Sequence, residues 1–267
     1  MRCRDTAALV LSVFFCASCA STHDAQPPPH RETRGASEDA VLAPQAPPTA
    51  RLEAVDDSVS PAEDVTALLA PHAVAVEARA RRVVGTLAGP LDRGEKNATE
   101  STLGNFASDA MRSETSSVVG RRIDVCFQNM GGLRRNLDAG PITEGDLVEV
   151  MPFDNSVVVF ELDGAALAAL LDRVSERRDP VSGARFRREG RSAKDINVGS
   201  APLDPQETYV VCTNDYVFEG GGDYPLKPAA NVVYTGVLVR DTFISALEDA
   251  AREGRSIAPT VDGRVSE

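Results

Sequence analysis

Three separated segments carry side chains able to hold a small planar ligand. They are Gln128-Asn129-Met130-Gly131-Gly132-Leu133-Arg134, Met151-Pro152-Phe153-Asp154-Asn155, and the stretch from Thr213 through Tyr216 to Gly220-Gly221-Gly222-Asp223-Tyr224. Phe153 follows Pro152, whose fixed φ directs the chain. A ring placed there can stack on a nucleobase for about 1–3 kcal/mol. Tyr216 offers the second face of an aromatic clamp. Asn129 presents both a donor and an acceptor to a base edge. The planar fork of Arg134 suits phosphate or ribose oxygens. Gly131 and Gly132 let the backbone approach a ligand closely. The glycines at 220–222 permit a tight return, and Asp223 can accept hydrogen bonds from both ribose hydroxyls. This is chemistry for binding a nucleotide or nucleoside. Each segment also has a plainer reading: a Gly-Gly turn with an exposed arginine, a core phenylalanine, a glycine turn with a solvated aspartate.

Chemistry that would break a phosphate ester is harder to find. The chain has three histidines, His23, His30 and His72, of which the first two fall in a Pro-rich stretch. One remaining histidine cannot supply the His/Asp/Asn set of a two-metal centre. No Gly-x-Ser-x-Gly segment is present, and Cys126 and Cys212 have no evident histidine partner. No Gly-Lys-Ser/Thr follows the glycines at 220–222, so they are not a P-loop. The sequence therefore assigns no catalytic residue, no metal ligand and no cofactor to these residues.

Composition narrows the partners. The 28 Lys+Arg against 40 Asp+Glu leave a formal charge of −12, which repels nucleic acid. At the N-terminus, Arg2 and Arg4 precede a short apolar run from Ala7 to Phe15 and then Cys16-Ala17-Ser18-Cys19. The run is too short to span a bilayer of about 30 Å. It reads as an export signal over residues 1–19, with Cys19 as the lipidated residue of a lipobox-like sequence, and cleavage after Ala20 as the alternative. The expected location is the cell envelope or periplasm, with a lipid anchor in the membrane. Residues 20–58 are rich in Pro and Ala without apolar periodicity and read as a disordered linker. Cys126 and Cys212 sit in apolar runs. Two buried free thiols are favoured over a disulfide between them.

The elements that must position the loops follow from periodicity. Ser60-Pro61-Ala62-Glu63 has the form of a helix start, with Pro71 ending or kinking that helix. Arg82–Leu87 reads as a strand and Thr102–Glu114 as an amphipathic helix. Ile123, Val125 and Phe127 alternate into a strand that ends at the Asn129 loop. The nearly continuous apolar run Val157–Leu162 suits a strand covered on both faces. Asp163 caps a helix carrying Leu167, Leu170, Leu171 and Val174. Thr208–Thr213 is a strand running into the Tyr216 loop, and a last helix lies near Arg240–Arg252. The expected fold is a single α/β (mixed α+β) domain over residues 59–267.

The ordered set of segments resembles the C-terminal domain of the 5′-nucleotidase / UDP-sugar hydrolase family. The resemblance includes Ser101-Thr102-Leu103-Gly104-Asn105 with Asp109-Ala110-Met111, Gly140-Pro141-Ile142-Thr143-Glu144-Gly145-Asp146, Glu161-Leu162-Asp163-Gly164 and Val181-Ser182-Gly183-Ala184-Arg185-Phe186, besides the three loops. It covers roughly residues 60 to 260. It implies mixed sheets flanked by helices and a site for the nucleoside part of a nucleotide. By that resemblance Phe153 and Tyr216 sandwich the base, Asn129 contacts it, and Gly131 and Gly132 shape the loop. Arg134 lies near ribose and phosphate, and Asp223 binds ribose. Asn97 stands about where the family often has a phosphate-directed arginine, with Arg93 and Lys96 as neighbours. The third loop is one residue longer before Asp223 than is usual. In this family the divalent metals belong to a metallophosphoesterase domain. The expectation is thus a nucleotide-binding partner of a separately encoded phosphoesterase. The alternatives are a nucleoside-binding receptor lipoprotein and a degenerate envelope interaction module.

Overall fold

The apolar run around Val157–Leu162 becomes a strand buried on both faces, and the fold is arranged around it. The computed structural model describes residues 56, 58–95 and 98–267. The expectations for the export segment with Cys19, for almost all of the linker, and for Lys96 and Asn97 therefore lie outside the described residues. Ser60–Glu267 gathers into one compact unit. In chain order its elements are α1 (Glu63–Ala80), β1 (Val83–Leu87), α2 (Thr102–Val119), β2 (Val125–Phe127), β3 (Gly140–Thr143), α3 (Glu144–Val150), β4 (Ser156–Asp163), α4 (Gly164–Arg177), β5 (Val181–Ser182), β6 (Ala184–Glu189), β7 (Ser192–Val198), β8 (Ala201–Pro202), β9 (Thr208–Asn214), α5 (Asp215–Phe218), β10 (Ala230–Leu238), α6 (Val239–Arg252) and β11 (Val265–Ser266).

The strands form a five-stranded sheet in the order β10-β4-β9-β2-β5, a four-stranded sheet β11-β6-β7-β8 and a two-stranded sheet β1-β3. Within the large sheet only β2 and β9 run parallel; the other pairs are antiparallel. The period-2 alternation of side chains divides this sheet between two cores. Val157, Val159, Val210, Cys126 and Cys212 join Leu103, Met111, Phe243 and Leu247 of α2 and α6. Val158, Phe160, Leu162, Val125, Phe127 and Val211 join Leu167, Leu170, Leu171 and Val174 of α4, with Phe186 and Val198 of the four-stranded sheet. Both faces are covered, which is why β4 and β9 read as continuous apolar runs rather than alternating ones. The mixed α/β expectation is met.

Local signals settle the element ends. Asp163 caps α4 by accepting from the Ala166 amide, and Ser101 caps α2 by accepting from that of Gly104. Thr143 and Asp146 close a capping box on α3. The first helix departs from expectation. It starts at Glu63 after Ala62, which supplies no side-chain cap, and it continues through Pro71 to Ala80. None of its residues is buried, so water can take the carbonyl that Pro71 leaves without a donor. The thiol expectation is also corrected. Cys126 and Cys212 are buried, but they are joined as a disulfide. The parallel register of β2 and β9 sets them directly opposite, 4.6 Å apart at Cα, a proximity hidden by 86 residues of intervening chain.

Candidate functional site

Strand direction gathers the loops. Because β2 and β9 are parallel, the loops after Phe127 and after Asn214 leave the same edge of the sheet. Because β4 is antiparallel to β9, the segment entering it, Met151–Asn155, arrives at that edge too. The same holds for Arg177–Pro180, which enters β5 antiparallel to β2. Gln128 donates its amide to the Pro180 carbonyl at 3.1 Å and ties the first and last of these together.

A cavity of about 680 Å³ opens at this edge. Asn129, Gly131, Gly132, Arg134, Phe153 and Tyr216 line it, joined by Asp154, Asn155 and Arg177. Phe153 and Tyr216 are 44% and 55% exposed although both are large rings. Asp223 is not on this wall. It lies beyond the glycine turn, exposed, with a left-handed φ of 56°. Asp154, Asn155 and Arg177 were not singled out from the sequence. The first two adjoin Phe153 and could have been marked by that adjacency. Arg177 closes a helix remote in sequence and carries no local signal.

The two ring-bearing loops are knotted by Asp215. Its Oδ1 accepts from Asn155 Nδ2 at 2.6 Å and from the Tyr216 amide at 2.7 Å. Its Oδ2 accepts from the Ser156 amide and Oγ, each at 2.8 Å. Burial works against its charge, and the hydrogen bonds from Ser156, Asn155 and Tyr216 outweigh it, so the carboxyl sits below its ordinary value. Below lies a buried amide cluster. Asn214 Nδ2 donates to Gln128 Oε1 and to Asn129 Oδ1, both at 2.8 Å, while Asn214 Oδ1 accepts the Val217 amide and caps α5. The oxygen of Asn129 is thereby committed, and its amide nitrogen is turned toward Gly131. Gly221 packs against Tyr216 so closely that a Cβ there would overlap the ring. Arg134 lies with Cζ 5.9 Å from the Phe153 centroid and donates to the Gly131 carbonyl at 3.0 Å. Arg240 pairs with Asp154 at 2.8 Å.

Behind Met130 sits a second buried group. Asp179 accepts the Met130 amide at 2.7 Å on Oδ1, and the hydroxyl of Tyr224 and Nε of Arg177 (3.1 Å) on Oδ2. Burial pushes the Asp179 carboxyl above its ordinary value against these bonds, and burial beside Asp179 pushes the Tyr224 phenol up as well. This group anchors the Asn129 loop from inside the fold. A second cavity of about 350 Å³ adjoins it, lined among others by Arg93, Met130, Arg177 and Asp179.

The donor set does not fit a metal centre. Among the described residues no group of three or more His, Cys, Asp or Glu side chains is placed to hold an ion. His72 stands exposed on α1. The cavity presents two exposed rings, an amide and a guanidinium along its lining.

Known proteins resemble this chain in sequence and fold. Residues 83–227 match the family model described as "5'-nucleotidase, C-terminal domain". The chain is 27% identical over 186 residues to the trifunctional nucleotide phosphoesterase protein YfkN of Bacillus subtilis, covering 63% of this chain and 12% of that protein. It is 25% identical over 244 residues to the cell wall protein Lmo0130 of Listeria monocytogenes, covering 82% of this chain and 31% of that protein. Among solved structures it is similar to a 5′-nucleotidase precursor from Thermus thermophilus. There the identity is 28% and the TM-score 0.64, over 76% of this chain and 43% of that one. The chain thus spans less than half the length of each of these relatives.

Proposed function

The chain belongs to the 5′-nucleotidase C-terminal domain family, and from that membership we propose that it is an exported nucleotide-binding protein that presents its ligand to a metallophosphoesterase. The observation that carries this reading is the pair of exposed rings, Phe153 and Tyr216, on one cavity and held in place through Asp215. A ring left in water without a ligand forgoes its burial energy, and stacking on a base recovers it. Asn129, with its oxygen committed inside, offers an amide hydrogen to an acceptor on the base. Arg134, with no carboxylate partner among the described residues, takes the ligand's phosphate. Water activation is assigned to the partner, because among the described residues no group of three or more His, Cys, Asp or Glu side chains is placed to hold a metal ion. The disulfide and the similarity to a cell wall protein support export, and lipidation at Cys19 would tether the protein to the membrane.

Titration calorimetry with adenosine, AMP, uridine and UDP-glucose tests the reading. Phe153→Ala and Tyr216→Ala are each expected to lose about 1–3 kcal/mol of binding. Folded wild-type protein that binds none of the four would overturn it. Preference for nucleosides over nucleotides would point instead to a receptor that acts without a phosphoesterase.

A further inference from the structure

Arg177 stands on the walls of two cavities at once, the one lined by Phe153 and Tyr216 and the one beside Arg93. Its Nε is committed to Asp179 Oδ2 at 3.1 Å and to the Tyr224 hydroxyl at 3.0 Å, and its Cζ lies 5.4 Å from the Tyr224 centroid. Gly222 backs the guanidinium, where a Cβ would lie 3.4 Å from Nη2. The fork is thus fixed in place by one nitrogen, while neither Nη atom makes a hydrogen bond among the described residues.

Apart from Glu95, exposed on the wall of the second cavity, the surrounding carboxylates are already occupied. Asp179 is bonded on both oxygens. Glu100 accepts from Asn105 Nδ2 and the Asp262 amide on one oxygen and from the Val265 amide on the other. Asp154 is paired with Arg240. The donors, in contrast, are in surplus. Arg93 has a buried Nε with no partner among the described residues, and Arg134 bonds only a backbone carbonyl. In a chain of net charge −12, this corner holds unspent guanidinium donors and no unspent buried carboxylate.

We propose that Arg177 is a specificity-determining residue that binds a second phosphate group of the nucleotide, separate from the phosphate taken by Arg134. This rests on the nucleotide-binding reading above. A phosphate at Arg134 alone leaves the Arg177 fork unused, whereas a ligand with two phosphate groups fills both. Two ligand chemistries share this feature, a 5′-diphosphate and a 3′,5′-bisphosphate. The first extends along the chain of phosphates toward Arg93, and the second presents a phosphate from the other side of the ribose.

The test is calorimetry on the full chain with the 5′-monophosphates, 5′-diphosphates and 3′,5′-bisphosphates of adenosine and uridine. The readout is the ratio of dissociation constants within each series, because a general loosening of the loop scales all three together. Wild type is expected to prefer one doubly phosphorylated ligand to the monophosphate by about tenfold, the size of one charge-assisted contact. Arg177→Gln is expected to abolish that ratio, and Arg177→Lys, which keeps the charge but not the fork, to retain part of it. A wild-type ratio near one, or an equal ratio in wild type and Arg177→Gln, overturns the inference while leaving monophosphate binding intact. Absence of binding by any nucleoside or nucleotide removes the reading beneath it as well.

Discussion

Asp215 does more for the candidate site than any residue that would touch the ligand. It accepts four hydrogen bonds, and three of their donors are the side chain of Asn155, beside Phe153, and the amide and hydroxyl of Ser156, while the fourth is the amide of Tyr216 itself. Asp215→Ala leaves those donors without an acceptor. It is expected to destabilise the fold by about 2 kcal/mol and to weaken nucleoside binding at least as much as loss of either ring, measured by denaturant unfolding and calorimetry. The pH dependence has a definite sign. The folded carboxyl lies below its ordinary value, so its stabilisation is present above the unfolded value of about 4 and is lost as pH falls through the folded value. Melting temperature against pH should show this loss in the wild type, and the curve of Asp215→Asn should lack it. At Gly221 the argument is steric. A methyl group there overlaps the Tyr216 ring, so Gly221→Ala is expected to displace the ring and weaken base binding by roughly tenfold, at the lower end of a lost stack. Unchanged affinity in that variant would show that the ring position does not matter to the ligand.

Strand direction explains why loops from four parts of the chain share one edge. The β2–β9 parallel pair is the pivot, since it aims Asn129 and Tyr216 the same way. The disulfide fastens this pair one residue before Phe127 and two before Asn214. Replacing Cys126 and Cys212 by serine is expected to cost about 2–4 kcal/mol, read as a lower urea midpoint, with a steeper slope because the unfolded chain is no longer cross-linked. The same loss should follow from reductant under partly denaturing conditions. Several elements were legible in advance for simple reasons. A strand covered on both faces reads as an apolar run, and that marks β4 and β9. Asp163 before Leu167 and Leu170 is a cap before an amphipathic period, and that marks α4. Other elements left no such trace. The edge strand β10 is exposed along most of its length and is irregular around Asn231 and Gly236, both at positive φ. Neither a buried run nor a clean alternation announces it, and the irregularities protect the open edge from pairing. At α1 the proline does not end the helix, because the helix is exposed and water can take the hydrogen bond that the proline leaves unmade.

For the whole molecule, the formal charge of −12 sets a field against polyanions that the cavity must overcome locally. The attraction of Arg134 for the phosphate is screened by salt, so where that local contact outweighs the general repulsion nucleotide affinity is expected to fall with rising ionic strength, while adenosine affinity stays nearly constant. Calorimetry at low and high salt separates the two. The proposed function makes its own demand at this scale. A metallophosphoesterase partner should gain nucleotide hydrolysis when this chain is added and lose the gain with Phe153→Ala. Rates left unchanged by this chain with every candidate partner would count against cooperation between the two.

Residue type and local spacing by themselves determined a mixed α/β domain after a Pro-rich stretch. They also marked two rings, an amide, an arginine and paired glycines on loops that follow or precede apolar strands. Those properties are local, since a period or a cap is written within a few residues. The tertiary structure decided what depends on strand order. Asp215 became the knot between two loops, and Cys126 met Cys212 across the parallel pair. Asp223 was left off the cavity wall, while Arg177 was brought onto it from the end of a helix. Each of these rests on pairing between segments dozens of residues apart. Side-chain period specifies which face of a strand is buried, but not which strand lies beside it.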